Sequence, residues 1–493
     1  AGGAALWLCR GGAAAPTRVD ATEPDVALEA PLPWLIPGTA LALLLAGFAA
    51  MGLEVVWFRY LAQLLGSLRA TFSLLLAVML VAMWLGAMAG GWLHRRYGHA
   101  RLLLGVSQIA LLVLVALLLG AVDLEHSQLA FRDEMRADFA RATDGARAVI
   151  EVWSSLRPIL MMVMLPAFLM GAVFPIANGH AQRASATVGG RAGLLYLATT
   201  LGNVLGSSLT GFVLIPMLGI RVAVWVLLGC VVASVVPMYL SGRPAEAPAR
   251  DDRAFLAALG TGLVATVAFG LSPEHLLLGP SVPPLQAGTR TLTLLSEGPY
   301  ETIAIVEVPG VEKSLFTNGH PMSSTRSTAQ RYMRAFAHLP LLQLDAPKRA
   351  VVICFGVGNT LHATSLHPLE EIHIADLSRN ILEHASVFSE TNGQVLRDPR
   401  VKVYVDDGRH HLLTEAPESF DLITLEPPPI AFAGVSALYT REFYELARSR
   451  LGPRGYMTQW LPAYQVAEPE VRGMVKAFIE VFPESVLLLG ADR

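Results

Sequence analysis

Residues 349–359, with the sequence RAVVICFGVGN, decide the fold of the second half of the chain. A short apolar run there turns abruptly into the glycine pair Gly356 and Gly358, and a helix-compatible segment follows. About 20 residues past the glycines, a second apolar run over 372–375 ends on Asp376. This layout is typical of a nucleotide site on a parallel sheet, because glycines let the backbone approach the ligand and the acid binds the ribose diol.

Two further predicted strand ends carry acidic residues. The apolar run 401–405 leads into Asp407 and Gly408, and the run 420–425 leads into Glu426 and a run of prolines. Ligands in open α/β sheets bind beyond the carboxyl ends of the strands, so these ends are expected to face one crevice. Each acid alone also fits a turn, and the prolines also fit a stiff loop, but together they favour a ligand site.

These motifs resemble those of the spermidine synthase (aminopropyltransferase) family, and the stretches LYTREFYELA at 438–447 and QW at 459–460 extend the similarity. More closely, the chain resembles membrane-fused spermidine synthase-like proteins, whose helical half is described as related to the major facilitator transporters. In the first half the resemblance rests on GFAAMGLEVVWFR at 47–59 and LYLATTLGN at 195–203. It implies a multi-pass α-helical membrane domain, followed by an α/β Rossmann-like domain of methyltransferase type with a small antiparallel β subdomain.

Composition divides the chain in the same way. Hydrophobic residues make up 53% of the 493 residues and charged residues only 16%. The long apolar runs that can cross a bilayer as helices are predicted near 34–57, 70–93, 101–122, 158–178, 193–217, 220–240 and 253–271. The predicted domains are an N-terminal segment (1–32), a transmembrane helical domain (33–272) with an extramembrane insertion (123–157), a β subdomain plus helix (285–345), and a Rossmann domain (346–493).

Several classes of function find no support in the sequence. A net charge of −3 without a basic stripe argues against a nucleic acid partner. The three cysteines, Cys9, Cys230 and Cys354, lack paired or metal-ligand spacing, so neither a disulfide framework nor a zinc site is predicted. The histidines of the second half also lack such spacing, and solvent-facing or turn positions are expected for His362, His367, His373, His384, His410 and His411. No metal site is therefore predicted.

The helical half contains one acid and two small-residue patterns that invite interpretation. Glu54 lies at membrane depth, where it is expected either to pair with Arg59 or Arg69 or to form a substrate or proton site. The patterns Gly86-Ala-Met-Ala-Gly90 and Gly202-Asn-Val-Leu-Gly206 let helices pack closely. Packing within one bundle is favoured over a dimer interface.

Basic residues between the predicted spans set the orientation. The loops around 94–101 and 183–191 are basic, which places them in the cytoplasm of an inner-membrane protein. Counting the predicted spans then places the C-terminal half on the periplasmic side. An adenosylmethionine-type co-substrate is instead found in the cytoplasm, so both sides stay open.

Aminopropyl transfer needs a carboxylate beside the attacking amine, and further carboxylates that hold the ammonium groups of the substrates. By resemblance, the base is Glu426, and the cofactor-binding residues are Gly356, Gly358, Asp376, Asp407 and Gly408. The resemblance implies decarboxylated S-adenosylmethionine or S-adenosylmethionine as a co-substrate, no tightly bound cofactor, and a small amine as acceptor.

Several ammonium-binding positions of the family are not acidic in this chain. Val357 occupies the acid position of the glycine loop, and Pro429 occupies the second acid position after the fourth strand. On the β-domain side of the amine pocket the chain offers Met322 or Met333, and Arg334. The nucleoside half of the site is expected to be intact, whereas the diamine half is expected to lack most of its acidic residues.

Three functions remain open at this point. The first is an aminopropyltransferase with an altered acceptor, which the retained acids favour. The second is an adenosylmethionine-dependent methyltransferase, because Glu426 and the prolines after it loosely resemble the acid-Pro-Pro-aromatic loop of amino-group methyltransferases. The third is a catalytically degenerate accessory or assembly subunit that docks protein subunits of a membrane complex, which the lost acids and the periplasmic count favour.

Overall fold

The computed structural model describes residues 34–65, 69–120, 144–182, 188–241, 259–260, 262, 264, 290–430, 432, 434–463, 466 and 468–488. In the first half it contains five apolar helical stretches that are long enough to cross a membrane. The helices are α1 (Leu35–Leu65), α2 (Arg69–Tyr97), α3 (Ala100–Gly120), α4 (Asp144–Ile159), α5 (Leu165–Gln182), α6 (Val188–Leu209) and α7 (Ile215–Ser241).

Two π-helical turns lie near predicted helix boundaries, and one predicted span is almost entirely outside the described residues. The π-helical turn Leu160–Met164 joins α4 to α5, so the described part of the predicted insertion 123–157 runs into the next helix without a break. A second π turn, Thr210–Leu214, joins α6 to α7, and the helical geometry is interrupted further on, at Gly219, where φ is 80°. The predicted seventh span, 253–271, lies outside the described residues except at 259–260, 262 and 264.

Glycines bring two pairs of helices into backbone contact. A Cβ atom at Gly202 or Gly206 of α6 would overlap the carbonyl oxygen of Leu44 or Phe48 in α1. In the same way, a Cβ at Gly86 of α2 would overlap the backbone of α5. Small residues are needed wherever helix backbones approach this closely. Both small-residue patterns are therefore used within one bundle, as the sequence favoured.

The first four strands form a small antiparallel sheet in the order β1-β2-β3-β4. The strands are β1 (Thr291–Glu297), β2 (Thr302–Val308), β3 (Glu312–Thr317) and β4 (His320–Ser324). The turn between β3 and β4 is Asn318-Gly319, and both residues have positive φ, as a two-residue hairpin requires. Helix α8 (Ser327–Leu341) then leads into the larger sheet.

The larger sheet has five parallel strands in the order β7-β6-β5-β8-β9. They are β5 (Arg349–Ile353), β6 (Glu371–Ala375), β7 (Val401–Tyr404), β8 (Phe420–Leu425) and β9 (Leu451–Gln459). The α-helices around them are α9 (Asn359–Ser365), α10 (Arg379–Glu383), α11 (Ser389–Asn392), α12 (Gly408–Thr414), α13 (Arg441–Arg450) and α14 (Glu468–Val481). This is the predicted Rossmann-like arrangement.

Helices cover both faces of this sheet, and the central strand shows why. Val351 and Ile353 of β5 enter the apolar core that contains Phe443, whereas Ala350 and Val352 enter the opposite core. Successive side chains of a strand point to opposite faces, so a continuous apolar run is buried on both sides. The chain order reverses between β5 and β8, where such folds bind ligands.

The two halves of the molecule meet at the turn between β1 and β2. The guanidinium of Arg59, near the end of α1, donates hydrogen bonds to the carbonyl oxygens of Gly298 (2.7 Å) and Pro299 in this turn. The expected pairing of Arg59 with Glu54 is therefore wrong in the described part of the chain, because Arg59 points to the soluble half.

Because the backbones of α1 and α6 are in contact, a methyl group added to α6 should destabilise the bundle at the contact and have no effect away from it. Gly202→Ala should destabilise the bundle by about 1–3 kcal/mol, the usual cost of overpacking. Gly193→Ala, also on α6, should be harmless because none of the described residues lies within 4 Å of the added methyl group. Unfolding of both variants in detergent checks this, and equal stability would contradict the proposed contact.

Candidate functional site

The predicted acidic residues converge at the carboxyl ends of the central strands. Cys354, the first residue after β5, lies close enough to the carboxylates of Asp376, Glu426 and Asp407 to be affected by all of them. Burial and these negative charges raise the pKa of the Cys354 thiol well above its usual value. Acids that are separated in the sequence, after β6, β7 and β8, therefore surround the start of the glycine loop.

Both glycines of the loop have backbone conformations that side chains rarely adopt. Gly356 has φ +56° and lies under β4, where a Cβ would come within 3.1 Å of the Ser323 hydroxyl. Gly358 has φ +84° and precedes the first residue of α9, and a Cβ there would press against Phe355. Glycine accommodates such conformations at little cost, and the loop is thereby held tightly between sheet and β subdomain.

Asp376 is 9% exposed and is fixed by the backbone on both sides. Its Oδ2 accepts a hydrogen bond from the Phe355 amide and its Oδ1 accepts one from the Ser378 amide, both at 2.7 Å. Burial raises the pKa of Asp376 to about 6, against the effect of these two hydrogen bonds. The carboxylate therefore changes charge close to neutral pH while its position stays defined.

Asp407 and Gly408 have clear structural roles of their own. Oδ1 of Asp407 accepts hydrogen bonds from the amides of Arg409 (2.9 Å) and His410 (3.0 Å), and so caps the N-terminus of α12. A Cβ at Gly408 would overlap the side chain of Ile353, so close packing on β5 requires glycine here. These contacts bring the start of α12 to the edge of the crevice.

Glu426 is held by a hydroxyl from the helix that follows the glycine loop. The Thr360 hydroxyl donates a short hydrogen bond to Oε1 of Glu426, and it also lies 3.1 Å from the carbonyl oxygen of Met333. Burial raises the pKa of Glu426 to about 7, and the hydrogen bond from Thr360 opposes this rise. A carboxyl group with such a pKa can accept and release a proton at neutral pH.

The Thr360 hydroxyl has one proton and two acceptors. When Glu426 is ionised, that proton is drawn to the carboxylate. When Glu426 is protonated, the carboxyl group can itself donate to Thr360, whose proton then turns to Met333. The pair therefore accommodates both protonation states of Glu426 without moving the backbone.

The positions that lack the family's acids are filled by apolar or otherwise engaged side chains. Val357 is 1% exposed and packs in an apolar cluster with Ile303 and Leu315 of the β subdomain. The sulfur of Met333 is within 3.3 Å of the Asn359 amide nitrogen, and Arg334 donates to the backbone of α11. Within the described residues, these positions offer no carboxylate to a diamine.

Two histidines are placed differently from the prediction. His373 and His411 are 1% and 2% exposed, and their ring nitrogens lie 3.0 Å apart, so the solvent-facing or turn positions expected for them are wrong. Together with Glu415 they form a group with metal-ligand atom types, within 4.8 Å of one another. The signal in the sequence was weak, because one residue lies on β6 and the others on α12 and just after it.

Charged side chains form a network around this histidine group. Glu371 is paired with Arg349 (2.8 Å) and Lys402, and Arg349 also reaches Glu415 at 3.4 Å. Burial lowers the pKa of both histidines and so favours their neutral forms, although the neighbouring carboxylates oppose this. The group adjoins the candidate site, because the His411 amide donates a hydrogen bond of 2.8 Å to the carbonyl oxygen of Asp407 one helical turn earlier.

A parallel sheet with a glycine loop after its central strand and acids at the ends of its neighbours defines a Rossmann-like domain. Residues 329–488 match the model of the spermine/spermidine synthase domain. The C-terminal part of the chain is thus spermidine synthase-like, whereas the relation of the helical half to major facilitator transporters stays a prediction.

Two curated relatives and one solved structure are similar to part of this chain. The polyamine aminopropyltransferase of Korarchaeum cryptofilum is 26% identical over 210 residues, 42% of this chain and 64% of that protein. That of Nitrosomonas europaea is 26% identical over 213 residues, 42% of this chain and 65% of that protein. The crystal structure of spermidine synthase from Thermotoga maritima is 20% identical, with a TM-score of 0.35, over 39% of this chain and 64% of that one. The chain thus spans just under two thirds of the length of these relatives.

The hydrogen bond from Thr360 predicts the direction in which the pKa of Glu426 responds to mutation. Thr360→Val removes a donor that stabilises the ionised carboxylate, so the pKa should rise above about 7. Infrared titration of the protonated carboxyl band, identified by its loss in Glu426→Gln, measures this. Thr364→Val, a buried threonine of the same helix that bonds only the backbone, is the control. An unchanged titration in Thr360→Val would rule out the hydrogen bond.

Proposed function

We propose that this chain is a membrane-anchored transferase of the spermidine synthase type. Asp376 and Asp407 bind the nucleoside part of an adenosylmethionine-derived donor, and Glu426 activates an acceptor amine. The convergence of these three carboxylates around Cys354, at the switch point of the parallel sheet, is the observation that supports this function most directly.

The proposed reaction uses Glu426 as a general base. In its ionised form, Glu426 takes a proton from the ammonium group of the acceptor, and the amine nitrogen then attacks the carbon next to the donor's sulfonium. The carbon–sulfur bond breaks, its electron pair stays on sulfur, and a neutral thioether leaves. A base with a pKa of about 7 suits this step, because it is ionised in a large fraction of molecules and still binds the proton well.

The acceptor is proposed to be a small amine with a single cationic group. Val357 is sealed in the apolar cluster, and Met333 stands where an ammonium-binding side chain would be needed. An acceptor with a second ammonium group would lose its hydration there without gaining a carboxylate. A donor that transfers a methyl group would use the same base, so donor identity separates the two enzyme proposals.

The placement of the soluble half favours a second candidate, a non-catalytic accessory subunit. The β1–β2 turn contacts the end of α1 and the start of the second part of α7, at Arg59 and Ile220. The basic residue Arg101 stacks on Tyr239 at the other end of α7, 5.7 Å from the ring centre. If the basic loops face the cytoplasm, the soluble half lies outside, away from the cytoplasmic pool of adenosyl donors.

Binding of nucleosides tests the transferase proposal. Calorimetry of the purified protein should detect decarboxylated S-adenosylmethionine, S-adenosylmethionine or methylthioadenosine, and Asp376→Ala should weaken binding at least tenfold, because a hydrogen bond to a charged group contributes about 1.5–3 kcal/mol. Asp345→Ala, which changes an exposed acid outside the site, should bind like wild type. Affinity should rise between pH 5 and 7, as Asp376 ionises near pH 6.

The outcomes separate the candidates. Binding that is lost only in Asp376→Ala supports the transferase, and the preferred donor distinguishes aminopropyl from methyl transfer. Absence of binding for all three nucleosides eliminates both enzymes and leaves the accessory subunit.

Reporter fusions test the side of the membrane. The accessory-subunit candidate predicts that alkaline phosphatase fused after residue 488 is active and green fluorescent protein at the same site is dark, because the soluble half contacts the bundle end opposite the basic residues; the transferase predicts the reverse. The reverse result would place the domain in the cytoplasm. Fusions after residue 97, at the end of α2, provide the matched control and should give the opposite pattern.

A further inference from the structure

We infer that the helical half positions the nucleoside-binding carboxylate Asp376 through the β1–β2 turn, and that Arg59 and Glu301 are positioning residues for this site. The inference rests on the proposed function in one respect, since it assigns Asp376 to the nucleoside. The turn, residues 297–301, is here named the coupling turn. Its contacts with the helices and its contacts with the site are separate and can be tested separately.

On the helical side, Arg59 is the main contact. Arg59 is only 6% exposed, and one guanidinium nitrogen donates to two carbonyl oxygens of the coupling turn. One helical turn further along α1, the Gln63 amide donates to the Thr302 hydroxyl at 3.4 Å. The end of α1 therefore forms hydrogen bonds with both the coupling turn and the start of β2.

The second contact on the helical side joins the turn to α7. Oε2 of Glu297 accepts a hydrogen bond of 2.8 Å from the amide of Ile220, directly after the break at Gly219. A Cβ at Gly219 would come within 2.8 Å of the same carboxylate oxygen, so the absence of a side chain at the break leaves room for Glu297. A carboxylate at the start of a helix interacts favourably with the amides exposed there. The coupling turn thus ties α1 to α7.

On the side of the site, Glu301 continues the chain of contacts. Its Oε1 accepts a hydrogen bond of 2.6 Å from the Ser378 hydroxyl, while the Ser378 amide donates to Asp376 at 2.7 Å. The Ser378 hydroxyl also accepts from the Ile381 amide and so caps α10. One serine therefore links the coupling turn, the nucleoside carboxylate and the next helix.

A second pair of side chains fixes the same two segments to each other. The Ser296 hydroxyl donates to Oδ1 of Asn380 at 2.7 Å, and the Asn380 amide donates back to the carbonyl oxygen of Ser296 at 3.3 Å. The segment 376–380 is therefore coupled to the turn, because three hydrogen bonds, two in this pair and one from Ser378 to Glu301, hold the two segments side by side.

Charge explains why Arg59 matters to this arrangement. Glu297 and Glu301 are both half-buried, burial raises the pKa of both, and the nearby Arg59 guanidinium counteracts this in both. Removing one partner of a buried charge group leaves the others uncompensated, so they move or take up protons. If Glu301 moves or takes up a proton, its hydrogen bond to Ser378 changes. The position of the Asp376 carboxylate, which the Ser378 amide holds, then changes as well.

The consequence is reciprocal coupling. Any change that shifts α1 against α7 alters the coupling turn and hence the affinity of the nucleoside site, and ligand binding shifts the helices by the same free energy. A ligand or partner of the helical half would in this way set the affinity of the soluble half for its donor.

Hydrogen–deuterium exchange tests the coupling without any ligand. Arg59→Gln should speed exchange in the peptide that covers 376–383, which contains the amides of Ser378 and Ile381, at least several-fold. Arg101→Gln, which removes a cation from the other end of the bundle, should leave this peptide unchanged. Equal exchange in wild type and Arg59→Gln would overturn the inference.

Calorimetry with methylthioadenosine supplies the second measurement. Arg59→Gln and Ser378→Ala should each weaken binding about tenfold and move the pH at which affinity rises, and the double variant should lose less than the product of the two. Independent, multiplying effects would overturn the inference. If Arg59→Gln does not insert or fold, Ser378→Ala and Glu301→Gln test the same path from the soluble side.

The inference and the proposed function can fail separately. Faster exchange in Arg59→Gln with no nucleoside binding by wild type supports the coupling and rejects the transferase. Tight binding by wild type that Arg59→Gln and Ser378→Ala leave intact supports the transferase and rejects the coupling.

Discussion

Parallel pairing of β5 with both β6 and β8 is the constraint on which the rest of this structure depends. A central strand with two parallel neighbours must be buried on both faces, which accounts for its uninterrupted apolar sequence. Parallel pairing also gathers the carboxyl ends of the strands at one edge. Acids that lie far apart in the chain are thereby forced into one small volume, where burial raises the pKa of Asp376 and Glu426 towards neutrality.

The sequence predicted the parts of this arrangement that depend on local pattern. The apolar runs of β5 and β6, the glycines at Gly356 and Gly358, and the acids after the strands all follow from rules about adjacent residues. The long helices were also predictable, because composition alone marks them. The break at Gly219 was placed between two predicted spans, although the structure adds a π turn and a positive φ that no periodicity reveals.

The remaining features depend on contacts between distant residues. The bond from Arg59 to Gly298 joins residues 239 positions apart, and no local rule selects that partner over Glu54. The burial of His373 and His411 follows from how α12 packs on β6. The sequence also showed that Val357 lacks the family's acid, but only the structure showed it sealed among apolar side chains rather than lining an altered pocket.

Cys354 has a chemical consequence for the candidate site. A thiol reacts with oxidants and disulfides as its thiolate, and surrounding carboxylates suppress that form. A cysteine at the entrance of a glycine loop would ordinarily be a point of oxidative damage in a compartment without glutathione. Here the acids that surround the glycine loop also suppress the thiolate, so they protect Cys354 from oxidation.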